Sequence, residues 1–228
     1  MEQLGHYFFN FASLADSWGD IARAFGTTIL VSILTLLLGI PLGFVLALIR
    51  LYATSRNRFL ALVRFVLVFY ADFFRCVPQL VVIVVIFFAL PYAGLSLTPI
   101  ASTVIGVGIV LSAFAEEVFW AAIIRVPKGQ WEAGRSSGLG YVATLFIVIL
   151  PQAAKMSVAP LTNRGLAASK ATTLGSVVAV PDLLSVTSSI QSAQANPTAL
   201  TVGAILFVVL FMPLVWLCRV LERRMETA

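Results

Sequence analysis

Residues 24–49 read AFGTTILVSILTLLLGIPLGFVLALI, and none of them is charged. A helix needs about 20 consecutive apolar residues to cross the hydrocarbon core of a bilayer, so this stretch can form one crossing. Outward from it, three further uncharged intervals occupy residues 76–115, 136–154 and 183–218. Hydrophobic residues make up 60% of the chain and charged residues 11%, whereas soluble domains carry about 25% charged residues. The sequence therefore predicts an all-α polytopic membrane protein.

Turn residues divide the second interval into parts of two helices. They are PYAG at 91–94 and SLTP at 96–99, and both segments are typical of loops. Five spans result, at roughly 21–51, 57–91, 99–126, 141–172 and 198–222. We expect Pro78 to kink or end the second span, and Pro151 with Pro160 to do so in the fourth.

The distribution of basic residues predicts the orientation. Lys and Arg near span ends stay on the cytoplasmic side, and residues 91–99 and 180–198 contain neither. We therefore expect the N-terminus outside, with residues 1–20 as a periplasmic segment, and the C-terminus inside, with residues 21–228 forming the transmembrane domain. Residues 1–20 also lack the basic start of a cleavable signal peptide, so the first helix should stay in the mature protein. This topology explains the net charge of +5, and no nucleic-acid partner is expected.

The residues needed for catalysis are largely missing from the sequence. The single histidine is His6, and the two cysteines lie in apolar stretches, so neither a metal site nor a nucleophile with its base is predicted. Glu116 and Glu117 are adjacent and point about 100° apart on a helix. No phosphate-binding Gly-Lys-Ser/Thr loop is present. Any work driven by a nucleotide must therefore come from another chain.

The third predicted cytoplasmic loop is longer than a connector requires. It reads RVPKGQWEAGRSSGLG at 125–140. Its glycines lower helix propensity but permit close approach of another backbone. Two interpretations stay open on composition alone: an ordinary solvated loop, or a short helix docked in a groove of another protein.

Charges inside predicted spans are the second unusual feature, because an ionisable group there normally faces a partner or a wet cavity. Asp72 and Arg75 are three residues apart and are interpreted as a structural charge pair. Glu117 has no basic residue within four positions. It could receive an ammonium group of a substrate, or it could form a tertiary ion pair with Arg164 or Lys170. Glu116 is expected to face the cytoplasm or a subunit interface.

The end of the fourth span offers basic and hydroxyl groups. If the helix continues, Ser169, Lys170 and Thr173 share one face and could converge on a cavity. A cation with hydroxyl donors suits a carboxylate. Arg164 could serve the same purpose, or it could neutralise Glu116. Opposed to Glu117, such a group would recognise both ends of a zwitterion.

Several motifs resemble a known family. The stretch Glu132-Ala133-Gly134, then Gly138, then VILP at 148–151 is similar to the EAA signature of ABC-importer permeases. Further segments look like those of polar amino-acid permeases; they are residues 74–78, 113–117, 128–133, 150–153, 169–174 and 180–184. The chain departs from the family pattern at Cys76, Val77, Trp120, Gly134 and Ala171.

The resemblance implies the fold of a type I ABC importer transmembrane domain in the bacterial inner (plasma) membrane. The loop at 127–141 would be the coupling helix, which contacts a cytoplasmic ATPase through Gln130, Glu132, Ala133, Gly134 and Gly138. The implied partners are a second permease chain, identical or homologous, two ABC ATPase subunits that hold ATP and Mg²⁺, a periplasmic or surface substrate-binding protein, and an amino-acid substrate.

A self-sufficient, ion-coupled secondary transporter is the alternative interpretation. It would use the same intramembrane charges for proton or ion coupling. The odd number of predicted spans, the absence of a recognisable inverted repeat and the long polar loop all argue against it.

Overall fold

A computed structural model describes residues 8–53 and 57–226 of the chain. Glu2, His6 and Arg56 lie outside the described residues. The described part contains helices and no strand, so the predicted all-α class is confirmed. A 3₁₀ helix at Phe11–Ser17 leads into α1.

The helices are numbered in chain order. They are α1 (Trp18–Tyr52), α2 (Arg58–Cys76), α3 (Gln79–Val84), α4 (Pro99–Arg125), α5 (Lys128–Ser136), α6 (Tyr141–Thr144), α7 (Leu150–Ala171), α8 (Leu183–Gln194) and α9 (Thr198–Glu226). A π turn at Val85–Ala89 and a 3₁₀ turn at Leu90–Ala93 extend α3, and a π turn at Leu145–Ile149 joins α6 to α7. A 3₁₀ helix at Thr172–Val178 follows α7.

Four helical stretches of the described chain are long and apolar enough to cross a membrane, and a bent pair makes the count up to five. The pair is α2 with the α3 segment, which meet at 105°. The bend lies at Val77-Pro78, as predicted for Pro78. Val77 adopts an extended backbone, because the proline ring disfavours helical geometry in the residue before it.

The prolines of the fourth span behave differently. Pro160 lies inside α7, which continues to Ala171, so the helix does not end there. Pro151 is the second residue of α7, which begins where the π turn at Leu145–Ile149 ends. Local π adjustments of this kind let a membrane helix accommodate the missing N–H of proline. The fourth span therefore continues through both prolines and does not end at either of them.

Contacts between Cα atoms divide the chain into two compact units. The first comprises Met1–Leu36, Pro78–Gly108 and Leu166–Trp216; the second comprises Leu37–Val77, Ile109–Gly165 and Leu217–Ala228. In the first unit, a core of Leu14, Ile21, Leu183, Ala199 and Val202 packs α1 against α8 and α9. The Leu183 N–H also donates to Thr28 Oγ1 at 3.0 Å.

In the second unit, two glycines bring α1 close to α4. A Cβ on Gly43 would lie 2.6 Å from the Cβ of Ala115, and one on Gly39 would lie 2.7 Å from Leu111 Cδ2. Small residues four apart allow such close packing of membrane helices. Nearer the loop, Ala122, Ile123 and Val126 form a core with Leu145, Ile149 and Ala153. These contacts position the residues of the ion cluster described below.

Asp182 caps α8 in the first unit. Its carboxyl group should make the stability of the folded protein depend on pH. The residue is 2% exposed, and its Oδ1 accepts the Ser185 N–H at 2.8 Å. Burial raises the pKa of this carboxyl from its usual 3.8 to about 6. The folded state therefore binds this proton more tightly than the unfolded state does. The stability that the bound proton contributes is complete below about pH 4 and is lost as pH rises through 6.

We expect Asp182→Asn to flatten this pH dependence, because Asn stays neutral and still offers an oxygen to the Ser185 N–H. The wild-type protein should lose about 1–3 kcal/mol of stability between pH 5 and pH 8 through this group. Thermal unfolding of both proteins in detergent across this range measures the difference, with the exposed Asp16→Asn as control. A gap between wild type and Asp182→Asn that stays constant with pH would contradict the assignment.

Candidate functional site

The second unit contains a cluster of ion pairs centred on Arg50. This residue lies at the end of α1 and is 7% exposed. Its Nη1 donates to both carboxylate oxygens of Glu116, at 3.0 and 3.1 Å, and to Oε2 of Glu117 at 3.1 Å. Its Cζ lies 3.8 Å from the centre of the Trp120 ring. One buried cation therefore contacts two carboxylates and an aromatic face.

Helix geometry explains how these groups meet. Arg50 lies seven residues, or about two turns, after Gly43, and Gly43 contacts α4 at Ser112, Ala115 and the Glu116 backbone. Glu116 and Trp120 are four residues apart on α4 and so share a face. The close glycine contact thus brings Arg50 onto the face of α4 that carries its two partners.

Arg75 from α2 forms the outer edge of the cluster. Its Nη1 lies 3.6 Å from Glu117 Oε2 and 3.7 Å from Asp72 Oδ1. The side chains of Arg75, Glu117 and Asp72 are 37%, 36% and 64% exposed. The predicted Asp72–Arg75 pair is thus present in the structure, but Arg75 also approaches Glu117. Glu117 therefore lies between the guanidinium groups of Arg50 and Arg75, at the partly exposed outer edge of the ion cluster.

Two expectations about the glutamates need correction. Glu116 was expected to face the cytoplasm or a subunit interface. It is instead fully buried and paired with Arg50. The cations beside Glu117 are Arg50 and Arg75, not Arg164 or Lys170. The sequence did not predict this role for Arg50, because a basic residue after a long apolar stretch is typical of a span end. The signal that could have identified it is its spacing from Gly39 and Gly43 along one face of α1.

Phe114 extends the site by one helical turn. The Cζ of Arg164, from α7, lies 4.2 Å from the centre of this ring, and the Cζ of Arg75 lies 5.8 Å from it. Nearby, Tyr70 shares a hydrogen bond of 2.6 Å with Ser112 Oγ, which fixes α2 against α4. In the part of the chain that the structure describes, no carboxylate lies within 4.0 Å of the Arg164 side-chain nitrogens. The Phe114 ring thus positions the guanidinium of Arg164, which has no acidic neighbour among the described residues.

The predicted face of Ser169, Lys170 and Thr173 belongs to the first unit. Lys170 and Thr173 line a mostly apolar cavity of about 520 Å³ with Phe207, Phe211 and Met212, and Lys170 Nζ lies 5.7 Å from the Phe211 ring centre. Ser169 is 4% exposed and does not line this cavity. The helix changes to 3₁₀ geometry at Thr172, so the assumed α-helical face ends there. The Thr173 hydroxyl donates to the Lys170 carbonyl at 2.8 Å.

The polar loop contains the short helix α5. Gln130, Glu132 and Ala133 are exposed on it. Trp131 stacks on Tyr141 with ring centres 5.1 Å apart, and Tyr141 contacts the Tyr52 ring edge-on at 6.2 Å. An aromatic chain of three rings therefore joins α5 to the end of α1.

The two glycines of the motif have roles within this chain. A Cβ on Gly134 would lie 2.7 Å from Thr144 Cγ2, so its small size lets α5 pack on α6. Gly138 has φ +85°, a left-handed conformation that glycine adopts at little cost at a helix end. The Leu139 N–H donates to the Gly134 carbonyl at 3.2 Å, which completes this cap.

Comparison with known proteins yields one matching family and several relatives. The model of the family described as "Binding-protein-dependent transport system inner membrane component" matches residues 39–227. The probable amino-acid ABC transporter permease protein YckA of Bacillus subtilis is 34% identical over 78% of this chain and 76% of its own. The probable glutamine ABC transporter permease protein GlnM of the same organism is 33% identical over 95% of this chain and 98% of its own.

Solved structures share the fold. The crystal structure of an amino acid ABC transporter with histidines has a TM-score of 0.82 and 26% identity, covering 94% of this chain and 98% of that chain. The MetNI methionine ABC transporter in an inward-facing conformation has a TM-score of 0.71 with 18% identity, covering 92% of this chain and 98% of that chain. This second likeness concerns the fold alone.

The different burial of the two glutamates predicts different effects on stability. Glu116→Gln should lower the free energy of unfolding by about 2–4 kcal/mol, because it removes the fully buried partner of a buried guanidinium. Glu117→Gln should lower it by about 1 kcal/mol or less, because this carboxylate is partly solvated. Thermal unfolding of the purified variants in detergent compares them. Equal losses in both variants would show that Glu117 is as structural as Glu116.

Proposed function

The chain belongs to the family of inner-membrane components of binding-protein-dependent transport systems, and on that premise we propose that it is the permease subunit of an ATP-driven importer for an amino acid or a close zwitterionic relative. The observation that carries the substrate class is the arrangement of the two glutamates. Glu116 already offers both oxygens to Arg50. Glu117 is therefore a second carboxylate at the accessible edge, beyond what neutralises the buried cation.

Glu117 is proposed to receive the ammonium group of the substrate. A carboxylate is acceptor-only when ionised and forms its strongest hydrogen bonds with cationic donors. One of its neighbours, Arg75, is itself partly exposed and lies 3.6 Å away, so this contact can loosen without leaving a buried charge. The names of the relatives, which include amino-acid and glutamine permeases, support the same substrate class.

The transport complex is proposed to contain a second permease chain, two cytoplasmic ABC ATPases and a soluble substrate-binding protein. ATP and Mg²⁺ would bind the ATPases, and this chain would do no hydrolysis itself. The exposed residues Gln130, Glu132 and Ala133 of α5 would contact an ATPase. Movement of α5 would then reach α1 through the rings of Trp131, Tyr141 and Tyr52.

This route ends close to the ion cluster. Tyr52 lies two residues after Arg50 on α1, and Leu48 and Leu51 pack on the core that also contacts Trp131. Close-packed elements transmit displacement because interiors have few voids. ATP-driven motion of α5 would therefore shift Arg50 relative to Glu117 and change the ammonium site.

The orientation is proposed from the positive-inside rule, with α5 in the cytoplasm. Single cysteines at Ser17 and Ser192, in a background lacking Cys76 and Cys218, should react with an impermeant reagent from outside. A cysteine at Ser136 should react only from inside. Labelling of Ser136→Cys in intact cells would reverse the orientation.

Uptake by proteoliposomes tests the function itself. The permease, reconstituted with its ATPase and binding protein, should accumulate a radiolabelled amino acid only when ATP is hydrolysed. An ATPase variant that binds but does not hydrolyse ATP is the control. Accumulation driven by a proton or sodium gradient without the ATPase would instead support the secondary transporter.

We expect Ala133→Leu to weaken attachment of the ATPase without unfolding the permease. Ala133 is exposed on α5, so a larger side chain there meets a docked partner and no part of its own chain. Co-purification of the ATPase should fall severalfold, while thermal unfolding of the isolated permease stays unchanged. Ser192→Leu, exposed on the opposite predicted side, is the matched control. Full co-purification and ATPase stimulation in Ala133→Leu would show that this face of α5 is not the docking surface.

A further inference from the structure

Arg164 on α7 is a cation that the ion cluster does not use. We propose that its guanidinium binds the carboxylate of the substrate while Glu117 receives the ammonium group. Both ends of the zwitterion would then bind within the second unit. This inference rests on the proposed function and deepens it in two ways. It assigns the residue that binds the substrate carboxylate, and it states which net charge of the substrate the site favours.

The contact with Phe114 leaves Arg164 ready for such a ligand. Its Cζ lies 4.2 Å from the ring centre, and the residue is exposed. A guanidinium on a ring face is held by attraction to the π system, while its N–H groups point outward in its own plane. These N–H groups match the two oxygens of a carboxylate.

The other cations of the cluster already have carboxylate partners. Arg50 donates to Glu116 and Glu117, and Arg75 lies near Glu117 and Asp72. Arg164 has no carboxylate within 4.0 Å among the residues that the structure describes. Because a charged group in a membrane-spanning helix needs a partner or a wet cavity, a ligand carboxylate is the partner that these residues leave open.

The spacing along α4 suits a small ligand. Phe114 and Glu117 are three residues apart, so they share a face and are separated by about 4.5 Å along the helix axis. Arg75 lies beside both, with its Cζ 5.8 Å from the Phe114 ring centre and its Nη1 3.6 Å from Glu117 Oε2. The carboxylate and ammonium groups of an α-amino acid are attached to one carbon atom. A single amino acid can therefore lie along this turn of α4, with its two charged groups toward Arg164 and Glu117.

The charges at this edge are balanced. Asp72 and Glu117 carry two negative charges, and Arg75 and Arg164 carry two positive ones. A zwitterion adds no net charge, whereas a cationic or acidic amino acid leaves one charge to be solvated or neutralised elsewhere. The site therefore favours an amino acid with a neutral side chain.

Binding to the purified permease–ATPase complex, without the binding protein, tests the assignment. The probes are the radiolabelled proteinogenic L-amino acids, and then the α-amide of the one that binds most tightly. The wild-type complex should prefer a neutral amino acid and bind its α-amide about ten- to a hundredfold more weakly. Arg164→Gln should bind the amino acid as weakly as the amide and leave the affinity for the amide unchanged. Arg164→Lys should recover part of the preference, and Lys155→Gln, an exposed cation on the same helix, should behave as wild type.

Three results would overturn the assignment: equal binding of acid and amide by the wild type, a preserved preference in Arg164→Gln, or an equal loss of both ligands in that variant. Loss of permease pairing in Arg164→Gln, with normal binding, would assign the residue to a subunit interface instead. ATP-driven uptake by the wild type is measured alongside. If uptake is present while any of these results is found, only the role of Arg164 fails, and the proposed function stands.

Discussion

The contact between the buried guanidinium of Arg50 and the fully buried carboxylate of Glu116 is the interaction on which the second unit depends. Removing an ion pair from water is costly, and it is tolerated only where geometry is good and hydrogen bonds are satisfied. Here one nitrogen of Arg50 reaches both oxygens of Glu116, and the guanidinium also lies against Trp120, although its Nε has no hydrogen-bond partner among the described residues. Because this pair is neutral by itself, Arg50 does not require Glu117 as its counter-ion. This difference separates a structural acid from one that is proposed to bind a ligand, although the two are adjacent in the chain.

The pair can form only because α1 and α4 approach closely. Apolar surface gives little driving force between helices in a bilayer, so close packing of small residues and polar contacts has to hold them together. Gly39 and Gly43 provide the packing, and Arg50 provides the polar contact two turns later. The same end of α1 carries Tyr52, whose ring contacts Tyr141 and thereby Trp131 of α5. One helix end thus belongs both to the proposed coupling route and to the ion cluster, which gives a physical reason for the two functions to be linked.

Features that depend on local sequence were predictable. Hydropathy identified the membrane spans, and Pro78 marked the break in the second one, because a proline limits the backbone conformation of the residue before it. The partners of the glutamates were not predictable in this way. Arg50 is 66 residues from Glu116 in the chain, and helical spacing predicts only neighbours three or four residues away. Of the expected face, Lys170 and Thr173 line one cavity, whereas Ser169 is buried away from it, because neighbouring residues point about 100° apart on a helix.

The central claim is that Arg50 and Glu116 are structural while Glu117 and Arg164 bind the substrate. A cryo-electron microscopy structure of the assembled transporter with its amino acid bound tests this most directly. The claim predicts density for the ligand between Glu117 and Arg164, over Phe114, with the Arg50–Glu116 pair intact. Ligand density in the cavity beside Lys170 and Phe211, with Glu117 still held by Arg50 and Arg75, would contradict it.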